Sequence, residues 1–96
     1  MKLNEHCQES LRLFGKPWTE LHQWLDEFAG VPGVGFRHRR FRHHEAGIRT
    51  AVIIFGPEAE SPARRHIMSD LAEEGWKEGV DPFPADAEQY KKMGFF

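Results

Sequence analysis

The chain has one cysteine, Cys7, so it forms no intramolecular disulfide, and its cysteine usage gives no sign of an oxidising compartment. No apolar run approaches the roughly 18–20 residues of a membrane helix, which excludes a membrane partner through a helical span. Met1 to Leu13 carries Glu5, His6, Gln8 and Glu9, so it does not read as a signal peptide. These absences point to a cytoplasmic setting. A large net charge is missing too: 13 Lys and Arg against 15 Asp and Glu leave −2, which argues against a surface given over to nucleic acid.

Several catalytic signatures are also lacking. His44-Glu45 is followed at the HExxH distance by Ile48, and Cys7 has no CxxC partner, which excludes a zincin helix and a zinc finger. Gly30, Gly33 and Gly35 have no strand before them and no GK[ST] after them, so they form no phosphate loop. No GxSxG marks a nucleophilic serine. Repeats and low-complexity tracts are absent as well.

What remains is an ordinary globular composition, 40% hydrophobic, 29% charged and 12% aromatic, in 96 residues. A chain of this length buries about 60–65% of its extended surface around one core. Leu3, Cys7, Leu11 and Phe14 are spaced 4, 4 and 3 apart, which predicts a helix over about 2–14 closed by Gly15 in a left-handed cap. Pro17 opens a second helix with Trp18, Leu21, Leu25 and Phe28 inward, ended by Gly30 and the breaker run to Gly35. The third and longest block runs from about Phe36 to Phe55, with Phe41, Ile48, Val52 and Phe55 on one face. Its β-branched Val52, Ile53 and Ile54 resemble a strand, but they continue the helical spacing. Ser61-Pro62 reads as a cap and first turn of a fourth helix to about Glu74, with Ile67, Met68 and Leu71 inward. A short helix over about 86–93 ends an acidic stretch. The expected fold is all-α: four main helices, a short C-terminal helix and an irregular acidic arm. It forms one domain over 1–96, with its core over about 2–74 and the arm over 75–96.

Charge is unevenly distributed. Arg37, Arg39, Arg40, Arg42 and Arg49 lie within thirteen residues, whereas the chain from Asp70 onward is mainly acidic. The two stretches can neutralise each other across the fold. Alternatively, Arg37, Arg39, Arg40 and Arg42 form a face for phosphate, an acidic protein or nucleic acid. Three tryptophans, eight phenylalanines and the terminal Phe95-Phe96 also fit an obligate homo-oligomer.

Six histidines carry the most chemical information. His22-x-x-x-Asp26 and His66-x-x-x-Asp70 place a carboxylate one helical turn from an imidazole, where it can fix the tautomer and strengthen the ring as ligand or base. In the third block His44 and Glu45 fall on the stripe of Phe41, Ile48 and Val52, with His38 near it. His43 shares a row with Gly47 and Thr50, where the missing side chain of Gly47 would admit a neighbouring helix. Buried imidazoles need partners, and Asp26, Glu45 and Asp70 are available. If the helices converge, His22, His38, His43 and His66 can hold zinc, iron or a similar divalent ion, with Asp26 and Asp70 orienting or ligating. Otherwise they form a structural network with no cofactor. His6 and Cys7 can add ligands, although Cys7, on the apolar stripe, reads as core.

The succession His6…Ser10, Phe14-Gly15-Lys16-Pro17, Leu21-His22-x-x-x-Asp26, Arg37-His38-Arg39-x-x-x-His43-x-x-x-Gly47-Ile48, Ile54-Phe55-Gly56 and His66-Ile67-x-x-Asp70-Leu71 resembles a family of short bacterial and phage proteins known only as a domain of unknown function. The resemblance covers His6 to Leu71 and leaves Trp76 to Phe96 unmatched. It implies no activity. It does imply histidines at the positions of His22, His38, His43 and His66, with asparagine acceptable at His44. That favours His43 as a ligand and makes His44 and Glu45 the second choice.

Overall fold

A computed structural model describes residues 1–29, 31, 32, 34 and 38–95. Gly30, Gly33, Gly35, the expected start of the third helix at Phe36, Arg37 and Phe96 lie outside the described residues. The elements are α1 (Leu3–Phe14), α2 (Thr19–Leu25), α3 (Arg39–Arg42), α4 (Glu45–Phe55), a 3-10 turn (Pro57–Ala59), α5 (Glu60–Glu73) and α6 (Ala87–Lys92). The fold is all-α, with no strand among the described residues. Among the described residues no helix is long and apolar enough to cross a membrane.

Gly15 closes α1 at φ +79°, and its N–H donates to the Leu11 carbonyl, as the left-handed cap predicts. The segment rich in β-branched residues is helical within α4. Three helices differ from the sequence reading. Helix α2 is shorter at both ends: it starts at Thr19 with Trp18 as its N-cap, so Pro17 lies outside its first turn. It stops at Leu25 rather than running to Phe28, with Asp26 as its C-cap. Helix α5 starts at Glu60 behind the 3-10 turn, so Ser61 is not its cap.

The third difference matters most. The block from Phe36 to Phe55 is not one helix: it breaks at His43-His44, where His44 is extended (φ −162°, ψ 176°). Its Nδ1 accepts from the Gly47 N–H, making His44 an N-cap of α4. The Glu45 and Ala46 amides donate to the carbonyls of Pro84 and Ala85, so the C-terminal arm covers the exposed start of α4. With the helix broken, Phe41 turns outward and is 53% exposed rather than core. The bareness of Gly47 serves the turn: a Cβ there would lie 2.0 Å from the Arg42 carbonyl oxygen.

The apolar core gathers Leu21 and Leu25 of α2, Ile48 and Ala51 of α4, and Ala59, Ala63, Ile67 and Leu71 from the 3-10 turn and α5. Each large side chain among them contributes about 1.5–3 kcal/mol through burial. Trp76 and Tyr90 complete the core, so the arm packs into it; the Tyr90 hydroxyl donates to Glu74 at 3.0 Å. Helix α1 departs from its pattern. Leu3, Leu11 and Phe14, expected inward, are exposed, Cys7 is half-buried, and the helix buries His6 and Ser10 instead. Hydrogen-bond partners for those two polar groups decide its orientation.

Candidate metal centre

Four elements deliver the cluster. Helix α1 contributes His6 and Ser10, and α5 contributes His66 and Asp70 one turn apart. Helix α2 presents His22 and ends at Asp26, a non-helical C-cap (φ −107°, ψ 16°) whose carboxylate meets His38, His43 and His66. His38 and His43 are the N-cap and C-cap of the single-turn α3. The break that makes His44 a cap therefore sends His43 inward, where it is fully buried.

The imidazoles converge on two carboxylates. The Nε2 atoms of His38, His66 and His43 lie 3.1, 3.4 and 3.5 Å from one oxygen of Asp26. Asp70 is 1% exposed. One of its oxygens faces His43 Nε2 at 2.9 Å and His66 Nε2 at 3.2 Å; the other faces His6 Nε2 at 3.2 Å and the Met1 amine at 3.1 Å. Arg39 donates to the Asp70 carbonyl at 3.2 Å.

Behind His66 runs a second chain of hydrogen bonds. Its Nδ1 is 2.8 Å from His22 Nδ1, and His22 Nε2 is 2.6 Å from the Ser10 hydroxyl oxygen. Both ring nitrogens of His22 are thus engaged, and its expected bond to Asp26 is replaced by bonds to Ser10 and His66. The i,i+4 relation fails there because α2 ends before Asp26. It holds at His66 and Asp70, which share α5.

Burial, reinforced by the charges of His66 and His6, pushes His22 down to about 3, so it is neutral. Burial likewise holds His43 at about 4 despite its bond to Asp70. For His66 burial acts downward, but the bonds to Asp26 and Asp70 outweigh it and raise its pKa. His66 therefore donates through Nδ1 to His22, and His22 donates through Nε2 to Ser10. Burial alone would raise both carboxylates, yet bonds to His38 and His66 hold Asp26 well below the usual range, and bonds to His43, His6 and His66 do the same for Asp70. Two ionised carboxylates ringed by imidazoles attract a cation, and their nitrogen and oxygen donors suit a divalent transition metal.

Six residues fall into sets with metal-ligand spacing: His6, Asp26, His66 and Asp70 in one, Asp26, His38 and His43 in another, with donor atoms within 4.8 Å of one another in each. His22 joins His6 and His66 in a third set. Of the residues singled out in the sequence, His22, His38, His43, His66, Asp26 and Asp70 all meet in this one region. His44 does not: its Nε2 donates to the Arg40 carbonyl at 3.0 Å. Glu45 is bound to Arg64, one contact being 3.0 Å. Sequence reasoning took His6 only as an added ligand beside Cys7 and did not place Ser10 in the site. His6 and Ser10 stand one turn apart, the spacing used at His66 and Asp70, but the apolar stripe beside them drew the inward face.

A cleft of about 450 Å³ opens onto the cluster, lined by Asp26, His38, Arg39, Asp70 and Glu73 among others. Two members of the arginine block, Arg39 and Arg42, face their own chain. Arg39 is 7% exposed and bound to Glu74 at 2.9 Å, so the basic stretch meets the acidic one here. Arg42 donates to the Trp24 carbonyl, pairs with Glu27 at 2.8 Å, and lies over the rings of Trp24 and Phe28. Arg40 is half-buried.

No curated protein and no solved structure matches the chain. Residues 1–94 match a family described as a domain of unknown function, so the family reaches past Leu71 through the C-terminal arm. With its helices, cluster and arm all inside that match, the chain belongs to the family DUF6915.

Proposed function

We propose that this protein binds a divalent transition-metal ion, zinc or iron being the best suited, with ligands drawn from Asp26, Asp70, His38, His43, His66 and His6. The observation that carries this reading is the crowding of three imidazole Nε2 atoms at 3.1, 3.4 and 3.5 Å from one Asp26 oxygen. Donors about 2.1 Å from a shared ion lie roughly 3.0–3.4 Å apart in octahedral or tetrahedral geometry. The spacing is that of ligands around a cation as much as that of hydrogen bonds.

The His22–Ser10 pair supports the same reading. A ligating imidazole normally donates its remote N–H to a partner, and the His66–His22–Ser10 chain supplies one while leaving Nε2 toward the carboxylates. His22 then acts as a positioning residue. Metal binding would displace protons from the imidazoles, so affinity rises with pH. The arginine block supports an acidic or nucleic-acid partner less well, because Arg39 and Arg42 engage their own chain.

Elemental analysis and native mass spectrometry of untagged protein, purified without chelator, test the proposal. A stoichiometric transition metal is expected, with a lower Tm after chelation and recovery on adding zinc or iron(II). Metal-free protein whose Tm is unmoved by zinc, iron(II), manganese or nickel would overturn it and leave the cluster a structural network.

A further inference from the structure

Apart from His22, which groups with His6 and His66, the donors divide into two sets sharing a single residue. His6, His66 and Asp70 group with Asp26 on one hand, and His38 and His43 group with the same Asp26 on the other. Donors to one ion at about 2.1 Å lie no more than about 4.2 Å apart. No group with all its donors within 4.8 Å of one another joins His38 or His43 with His6, His66 and Asp70, so an ion among those three leaves the His38–His43 pair with its own capacity. Asp26 has one oxygen common to His38, His43 and His66, and Asp70 Oδ2 lies 2.9 Å from His43 and 3.2 Å from His66. Carboxylates spanning two donor sets are the means by which proteins hold paired cations about 3.5–4 Å apart.

Charge and access indicate what completes such a pair. Two dications against the carboxylates of Asp26 and Asp70 leave about two positive charges in a largely buried place, which demands an anionic ligand. One set supplies four donors and the other three including the shared one, fewer than two six-coordinate ions require. The cleft reaches Asp26, His38 and Asp70 from solvent, with Arg39 in its wall. A tetrahedral oxyanion entering there can place one oxygen on each ion.

We infer that the centre holds two divalent cations side by side, joined by Asp26, and accepts a phosphate group from the cleft, either as free phosphate or as the end of a monoester. This rests on the metal reading above.

The test loads metal-free protein with manganese(II) and counts ions by native mass spectrometry, with electron paramagnetic resonance to detect spin coupling. Two coupled ions per chain are expected, falling to one in Asp26→Asn. His38→Gln, at the cleft and with a milder change, gives the same comparison should Asp26→Asn fail to fold. One ion per chain at saturation overturns the inference and leaves the metal reading intact; none overturns the inference, and the metal reading falls with it if zinc, iron(II) and nickel also fail to bind. Inorganic phosphate and phenyl phosphate are then added separately. A rise in Tm of the loaded form alone supports the phosphate ligand, and whichever compound gives it identifies free phosphate or a monoester as the source. A rise in metal-free protein as well, or in neither form, overturns that part.

Discussion

Helix α5 borders two interiors of opposite character. Ala63, Ile67 and Leu71 pack with Leu21, Leu25, Ile48 and Tyr90, while His66 and Asp70, on the same helix and equally buried, face six ionisable groups from elsewhere in the chain. Each apolar residue is stabilised by its own transfer from water, so the pieces are nearly independent. In the polar region each group is tolerated only because the others are present: an imidazole or carboxylate buried without partners costs several kcal/mol. The apolar half is therefore additive and forgiving, whereas the polar half is cooperative and brittle. Its orientation of α1 outweighs that helix's own hydrophobic stripe.

The sharpest way to break this contrast is Asp70→Ala. It strands His6, His43 and His66 and removes a counter-charge of Arg39, so a loss of about 3–5 kcal/mol is expected in urea unfolding. A loss under 1 kcal/mol would show that the polar region is not a network. Leu71→Ala is expected to cost about 2–5 kcal/mol while leaving metal content unchanged. Loss of metal along with stability would deny the separation of the two interiors.

Acid sharpens the comparison because only one interior titrates. Below pH 6.5 the unfolded chain protonates His22 and His43, while the native protein resists until about 3 and about 4 respectively. The unfolded state then binds more protons, so stability falls with falling pH by up to about 1.4 kcal/mol per unit for each histidine. His66 has the opposite sign: its contribution is complete below 6.5 and is lost as pH rises through its raised native value. The contributions of Asp26 and Asp70 persist until pH drops below the usual carboxylate range of about 4. Urea midpoints of metal-free protein from about pH 8 to 4 should decline on the acid side of 6.5. A flat series would remove the neutral, buried state assigned to His22 and His43.

Ser10→Ala has a smaller expected effect, about 1–3 kcal/mol, because it leaves His22 Nε2–H buried without an acceptor. His22→Ala combined with it should cost less than the sum of the two, as members of one chain do. Additivity would place Ser10 outside the network. The smallest effect belongs to Leu11→Ser, within about 0.5 kcal/mol, because that leucine is 54% exposed. A large loss there would mean that a partner surface covers the apolar stripe of α1.

Local rules made much of this protein legible from its residues. Gly15, the Gly56-Pro57 break and the 3–4 spacing within α4 and α5 act over one or two turns, so they mark helices without reference to the rest of the chain. The i,i+4 relation of His66 and Asp70 is likewise internal to one helix. The sequence also determined that buried imidazoles would need carboxylate partners, and only a few were available. Tertiary structure decided which ones. His43 was separated from His44 by a kink that depends on the 84–85 backbone, about forty residues away, capping α4. The face of α1 was settled by Asp70 and His22 on other helices, because satisfying His6 and Ser10 outweighed burying Leu11 and Phe14. Periodicity records what one helix offers, but the cost of an unpaired buried group depends on what the others bring to it.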